Sequence, residues 1–505
     1  MKEWLQKCDH EHPGCKPQAN KLPKRLVSIG SSMMPRLNLV STQGLDPETI
    51  QYATLSYCWG SAGIPVKTTR SNKATYFEAI PTKDFPKTFE DALLISRSLN
   101  ISYLWMDALC IVQDDEDDWR AEITKMSDIY FGSTLTIAAS EAKDCTGGFF
   151  AHPLADNSNE ERTKNRYFFT VERRPSTDIL VQVEPREGGT NGRISNLHTR
   201  GWTLQEVALS HRTVQFTQSE LHWRCRNAYW TESGMTYDPL TTVYGNVPLS
   251  GNEHVVEPVI TWWKWIESYS TRKFSVPSDR IPAIYGLIKY HQSLTGDTSA
   301  FGLWRRSLHQ DMLWIRIERL TDISLTSPYT GSIPSWSWLS CPVGVAFDFF
   351  GKSSRQTETS DHITIQDYEL LWVGEPLISA VKSCNLTISG PAQEVYLEIA
   401  PEGRHCNPPY YLVEGEAPDF SKSALPWGCS AQFDREQERS PDTFFCVLVR
   451  RRLEVSTGYR TETFLILEPA DTLFPHEKFR RIGLGVFRGS HDRFSSNTMK
   501  TINLV

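Results

Sequence analysis

The segment RGWTLQEVALSHR, residues 200 to 212, sets a single carboxylate, Glu206, four positions after an indole, Trp202, in an otherwise apolar run. Read as a helix over 203–209, it places Trp202, Gln205, Glu206 and Leu209 on one face, because residues three and four apart are neighbours on a helix surface. Leu204, Val207 and Ala208 cover another side that would pack on a sheet. A carboxylate beside an indole on a half-apolar surface suits a cationic ligand. The same residues also spell a capping box, Thr203-x-x-Glu206, in which the glutamate only closes the first helical turn. Both roles stay open.

A second group of candidates stands at the ends of three apolar runs. YATLSYCWG (52–60), YLWMDALCIV (103–112) and STLTIAAS (133–140) are short, apolar and partly β-branched, as buried strands are. In an open parallel sheet, ligands sit beyond the carboxyl ends of the strands. That rule gathers Ser56, Tyr57, Trp59 and Gly60 after the first run, Asp107 and Cys110 in the second, and Ser140 after the third. Ordinary strand-end packing is the alternative for Ser56 and Tyr57. Asp107 is an acid in an apolar strand, so it must be hydrogen-bonded or functional; holding a neighbouring loop is the alternative to touching a ligand. The acids Asp114 to Asp118 read as a solvated helix start favoured by the helix dipole. Near the start, CDHEHPGC offers Cys8, His10, His12 and Cys15. Its spacing is too compressed for a four-ligand finger and no second pair follows nearby, so a tucked turn is expected and no metal is assigned.

The elements that must position these side chains follow from periodicity. PKTFEDALLISRSLN (86–100) has helical spacing, with Thr88 able to cap and Asp91 three residues on. After the acidic run, Trp119, Ile123, Met126 and Tyr130 recur at i, i+4, i+7 and i+11, one face of one helix. Strand, helix, strand, helix, strand predicts an α/β domain with a parallel sheet. Residues 151–199 are polar and irregular and read as an insertion, with edge strands at YFFTVERR and ILVQVE; TVQFT and LHWRC follow as strands. From about 240 the chain is helical and Trp-rich, and after PSWSWLS (334–340) it is β-rich. The expected organisation is an N-terminal segment 1–48, an α/β domain 49–235, a helical middle 236–340 and a β-rich region 341–505.

Composition removes several function classes. At 505 residues the chain exceeds the roughly 250–300 residues at which single cores stop growing. A net charge of −7 with no Lys/Arg stripe disfavours nucleic acid and anionic membrane. No apolar run approaches the roughly 20 residues of a membrane helix, and MKEWLQKCDHEHPGCK has no signal-peptide core. Eleven scattered cysteines, an odd number, suit reduced cytoplasmic thiols better than a disulfide framework. No GxGxxG after a strand, GxxxxGK[ST], HExxH or GxSxG motif occurs.

YATLSYCWG, LWMDALCIVQDDEDDWRAEITKMSDIYFGSTLTIAAS and RGWTLQEVALSHRTVQF together resemble, in order and spacing, the three blocks of the fungal heterokaryon incompatibility (HET) domain. The resemblance covers about residues 50–216. The flanks WLQKCDHEHPGC, YSTRKFSVPSDRIPAIYGL, PSWSWLS and RRIGLGVF look like that family's full-length members. It implies a role in non-self recognition and programmed cell death when incompatible hyphae fuse. HET domains in turn resemble TIR domains, whose sheet is flavodoxin-like and some of which hydrolyse NAD+. TLSYCWG is similar to the TIR first strand and WTLQEV to its catalytic helix. By position the TIR catalytic glutamate falls on Glu206, with Ser56, Tyr57, Trp59, Gly60, Asp107 and Trp202 shaping the nucleotide pocket. Cys58-Trp59 replaces an arginine, and Gln205 an acid, that TIR domains often carry. The resemblance implies NAD+ as substrate with no tightly bound cofactor, self-association of the domain, and a protein partner for the C-terminal region. The alternative is a non-enzymatic module whose three blocks form core and interface.

Overall fold

The computed structural model describes residues 1–17, 22–30, 36–149, 167–173, 177–183, 195–217, 220–237, 258–317, 333–347, 357–377, 379, 381–399, 411–413, 430–434, 442–471, 477–494 and 498–505. The chain divides into two compact units. The first comprises Met1–Trp119, Gly132–Thr199 and His211–Thr236, and the second Arg120–Phe131, Arg200–Ser210 and Tyr237–Val505.

In the first unit, β1 (Arg25–Ser28), β2 (Asn38–Ser41), β3 (Tyr52–Ser56), β4 (Tyr103–Trp105), β5 (Leu135–Ala138), β8 (Arg212–Phe216), β9 (Leu221–Cys225), β10 (Tyr229–Thr231) and β11 (Thr236–Tyr237) form one sheet, with β6 (Tyr167–Arg173) and β7 (Thr177–Val183) outside it. The sheet order is β11-β10-β9-β8-β5-β3-β4-β1-β2. Its centre is parallel: β3 pairs in parallel with β4 and β5, and β5 with β8. The flanking pairs β8–β9, β9–β10, β4–β1 and β1–β2 are antiparallel. Every residue of β3, β5 and β8 is buried, which is why β3 and β5 read as short apolar and β-branched runs rather than alternating ones, while β8 also buries Arg212 and Gln215. The mixed α/β reading of this region holds. β6 and β7, expected as edge strands, pair with each other instead. Apart from them and 195–199, the insertion lies outside the described residues.

Two local readings change. The second strand stops at Trp105 rather than running to 112, and Asp107 opens a short helix. The helices of the first unit are α1 (Lys2–Glu11), α2 (Lys73–Glu78), α3 (Lys87–Ser98), α4 (Asp107–Cys110) and the first turn of α5 (Glu116–Ile123). The single helix expected after the acidic run is two, because α5 ends at Ile123 and α6 (Met126–Phe131) starts afresh. The apolar period survives the break, as Ile123, Met126 and Tyr130 are all buried. Nor is the acidic run simply solvated. Asp118 is buried, ion-paired with Arg25 and Lys24, and accepts the Val112 N–H. Burial raises its carboxyl, but the Val112 amide and the two cations outweigh it and hold the group below the usual range. Asp114 accepts the Arg70 N–H, and Asp115 pairs with the Arg70 guanidinium.

The second unit holds α6, α7 (Thr203–Ala208), α8 (Pro258–Ser270) and α9 (Pro282–Thr295). Within it α7 packs against α6, α8 and α9. Trp262, Trp265, Trp304, Trp314, Trp336 and Trp338 are buried, so the indole-rich middle is a core. The Gly302 carbonyl accepts from both Trp262 Nε1 (3.0 Å) and Trp338 Nε1 (3.1 Å). The β-rich expectation for the C-terminal region also holds, with a feature not read from sequence: the sheet closes. The strands Asp442–Glu454, Tyr459–Pro469, Phe479–Gly489, Ser430–Phe433, Tyr411–Val413 and Val381–Ile399 pair in succession, and the last returns to the first. Phe433, Cys446, Leu448, Phe464, Ile466 and Phe487 lie in the cluster at its core. Among the described residues no helix is long and apolar enough to cross a membrane.

Candidate functional site

Three of the strand-end candidates meet on one carboxylate. Asp107, the first residue of α4, accepts the Tyr57 hydroxyl on Oδ1 (2.8 Å) and the Trp59 Nε1–H on Oδ2 (2.8 Å). Oδ1 also accepts the Ala108 amide at 2.7 Å. A carboxylate bound in this way by a phenol, an indole and a backbone amide is fixed in position, because bonds to an ionised acceptor are the strong ones. Tyr57 is buried and stands edge-on to Phe89, ring centroids 5.4 Å apart. Trp59 is half-buried. The helix start that replaces the expected strand places Asp107 where it can reach the loop after β3.

The other strand-end residues have distinct tasks. Ser56 closes β3 fully buried, and its carbonyl accepts the Ala139 N–H at 2.9 Å, tying the ends of β3 and β5 together. Gly60 has φ +84°, and a Cβ there would lie 2.4 Å from the Asp144 Cβ, so the turn after Trp59 requires glycine. Cys110 is buried and its carbonyl accepts Arg25 Nε at 2.8 Å. Ser140 is buried and its carbonyl receives the Leu197 amide (3.0 Å). The Ser140 Oγ has no hydrogen-bond partner among the described residues. Cys58, Ala138 and Leu197 form a small apolar cluster.

Trp202 and Glu206 belong to the second unit. The helix carrying them has Trp202 as its N-cap, with no side-chain cap bond, so Thr203 lies inside the helix rather than capping it. The Thr203 hydroxyl donates to the Arg200 carbonyl (2.9 Å) and accepts Arg272 Nη1 (2.9 Å). Gln205 is a second clamp. Its Oε1 accepts the Gly286 amide of α9 at 3.2 Å, and its Nε2 donates to Met126 Sδ of α6 at 3.7 Å. A Cβ at Gly286 would lie 2.5 Å from that Oε1, which explains a glycine in the middle of α9. The Trp202 indole donates to Asp279 Oδ2 at 2.9 Å; burial pushes the Asp279 carboxyl up although that bond and Arg200 pull it down. Glu206 is 8% exposed, and its carbonyl accepts the Ser210 hydroxyl at 2.6 Å.

The N-terminal candidates do not stay local. Cys8, His12 and Cys15 gather around Cys225 at the end of β9, and His10 stands apart from them, exposed. Sequence reading placed Cys225 only in a strand. A fourth donor, a thiol more than two hundred residues away, carries no local signal.

Residues 52–206, from the first residue of β3 to Glu206 itself, match the family described as heterokaryon incompatibility protein (HET). No curated protein and no solved structure matches the chain.

Proposed function

From a chain that carries a heterokaryon incompatibility domain, we propose an effector of fungal non-self recognition that acts in the cytoplasm by hydrolysing NAD+. The observation that carries the chemistry is a carboxylate, Glu206, on a fully buried helix turn: Thr203 through Ala208 are all buried, and an acid in such a setting is paired or functional. The parallel strands follow the order β4-β3-β5-β8, which is 2-1-3-4 in chain order, as in flavodoxin-type sheets. That order supports the TIR-like reading. Nicotinamide in NAD+ is already a cationic leaving group, so no general acid is required. The C1′–N bond breaks, its electron pair neutralises the pyridinium nitrogen, and water adds to C1′ and releases a proton. Glu206 stabilises the oxocarbenium-like ribose or orients that water. Ser56, Tyr57, Trp59, Gly60, Asp107 and Trp202 are the residues we assign to nucleotide recognition, with self-association of the domain as the switch and a protein partner for the C-terminal region.

The test is nicotinamide release from NAD+ by the purified full chain, alone and under crowding, for wild type and Glu206→Gln. Release by wild type that is lost in the variant is the expected result. No release by wild type under any assembly condition removes the enzymatic reading, and undiminished release by the variant removes the assignment to Glu206.

A second reading is favoured by the clamps on α7. Thr203, held by Arg272, and Gln205, held between Gly286 and Met126, make this helix a packing element. In that reading the domain is a non-enzymatic signalling module and Glu206→Gln changes stability alone.

A further inference from the structure

We propose that Cys8, His12, Cys15 and Cys225 bind one structural zinc ion that fastens the N-terminal helix to the β9–β10 hairpin. This site is independent of the NAD+ reading, and so is its test. The four donor atoms all lie within 4.8 Å of one another. Cys225 Sγ and His12 Nδ1 are 3.4 Å apart. A tetrahedral zinc with Zn–S of about 2.3 Å and Zn–N of about 2.0–2.1 Å separates sulfur from nitrogen by about 3.6 Å and two sulfurs by about 3.8 Å. The cluster therefore has the dimensions of the ion's first coordination sphere.

Local backbone structure presents the ligands. Cys8 lies in α1, whose end is marked by the His12 amide bonding the Cys8 carbonyl (3.0 Å). A 3-10 turn, Pro13–Cys15, then brings Cys15 back, its amide on the His12 carbonyl at 2.9 Å. Cys225 arrives from the other side, in a tight turn where its amide bonds the Ala228 carbonyl at 2.8 Å. Compressed spacing in C-x3-H-x2-C is no obstacle once the fourth ligand comes from elsewhere in the fold.

The surroundings suit a charged centre. Cys8, Cys15 and Cys225 are buried and not joined in a disulfide, a crowded arrangement for three groups that are weak hydrogen-bond partners. Zinc binding deprotonates all three, and a zinc ion with three thiolates and a neutral imidazole carries one net negative charge. Arg212, 1% exposed, places a positive charge beside the centre by donating Nε to Cys8 Sγ at 3.3 Å, while its Nη2 pairs with the carboxylate of Asp9. The Asn227 carboxamide touches Cys15 Sγ at 3.4 Å, and with its amide flipped it donates N–H to the thiolate. The His12 ring is oriented by stacking on Trp230 (5.8 Å, 28°), which stacks in turn on Trp223 (6.4 Å, 13°). Such outer contacts fix ligand orientation in metal sites. Three soft thiolates and one imidazole select zinc over magnesium or calcium, and four protein ligands leave no open position for catalysis.

The full chain, purified without chelator, is assayed for metal by mass spectrometry of the elements and by cobalt(II) exchange. One zinc per chain is expected, replaced by a cobalt centre with the visible absorption of a tetrahedral thiolate site. Cys225→Ser loses the metal. His12→Cys keeps it and adds a thiolate-to-cobalt charge-transfer band, whereas His10→Ala, on the same helix but outside the cluster, leaves metal and spectrum unchanged. Wild type that holds only sub-stoichiometric zinc and gives no cobalt spectrum overturns the proposal, whether or not any variant folds. So does stoichiometric zinc that survives in folded Cys225→Ser, or a native disulfide between any two of the three thiols.

Discussion

Asp107→Asn tests the geometry at the strand ends directly. The carboxylate accepts hydrogen bonds from Tyr57 Oη, Trp59 Nε1 and the Ala108 amide. An asparagine has one acceptor oxygen, and its NH2 group must face either the indole N–H or the Ala108 N–H, both of which only donate. One bond is therefore lost in either orientation, and the remaining ones change from charge-assisted to neutral. Hydrogen bonds to charged groups contribute about 1.5–3 kcal/mol against about 0.5–1.5 kcal/mol for neutral ones. One bond lost and two weakened, discounted for the half-buried position of Asp107, gives a destabilisation of about 2–3 kcal/mol. Urea unfolding followed by circular dichroism measures it, and tryptophan fluorescence reports release of the Trp59 indole. Combining Asp107→Asn with Tyr57→Phe in a double-mutant cycle should show coupling of about 1 kcal/mol, because the two share a bond. A variant within about 0.5 kcal/mol of wild type, with strictly additive pairing to Tyr57→Phe, refutes the reasoning. A variant more stable than wild type would mark Asp107 as kept for a ligand at a cost to the fold.

Two further outcomes follow from single side chains. Gly60→Ala combines a left-handed backbone with a Cβ 2.4 Å from Asp144, whereas Gly63→Ala, at φ +75°, meets open space; the first should cost at least about 2 kcal/mol and the second about 1 kcal/mol, and equal losses in urea unfolding would exclude the clash. His291 donates Nε2–H to the Pro258 carbonyl (3.2 Å) and stacks on Trp304 at 4.2 Å, and its Nδ1 has no partner among the described residues. Burial lowers its pKa from 6.5 to about 4. The unfolded chain therefore binds the extra proton between those values, and stability falls as pH drops through that window. Lowering pH from about 7 to about 5 should remove about 2 kcal/mol through this group. His291→Gln should flatten that part of the pH dependence of unfolding, and an unchanged slope would contradict the assignment.

Sequence by itself determined the elements whose signal is local. The runs at 52–56, 103–105, 135–138 and 212–216 are strands because a covered parallel sheet favours apolar and β-branched side chains, with Arg212 and Gln215 as buried polar exceptions. The helix Lys87–Ser98 and the turn His12–Cys15 are equally legible from spacing and turn residues. Tertiary structure alone decided what distant residues do to one another. The second strand ends before Asp107 because that carboxylate is held by Tyr57 and Trp59, some fifty residues away. Residues 200–210 lie among apolar neighbours by sequence, yet they are grouped with the chain beyond 237 because Gln205 is clamped by Gly286 and Thr203 by Arg272. The C-terminal sheet closes because Val381–Ile399 is long enough to pair with several strands at once. Cys225 joins Cys8, His12 and Cys15 only when β9 is laid at its place in the sheet. Periodicity reports the face a residue turns to the core, while partner and register depend on which segments meet when the chain closes its long loops.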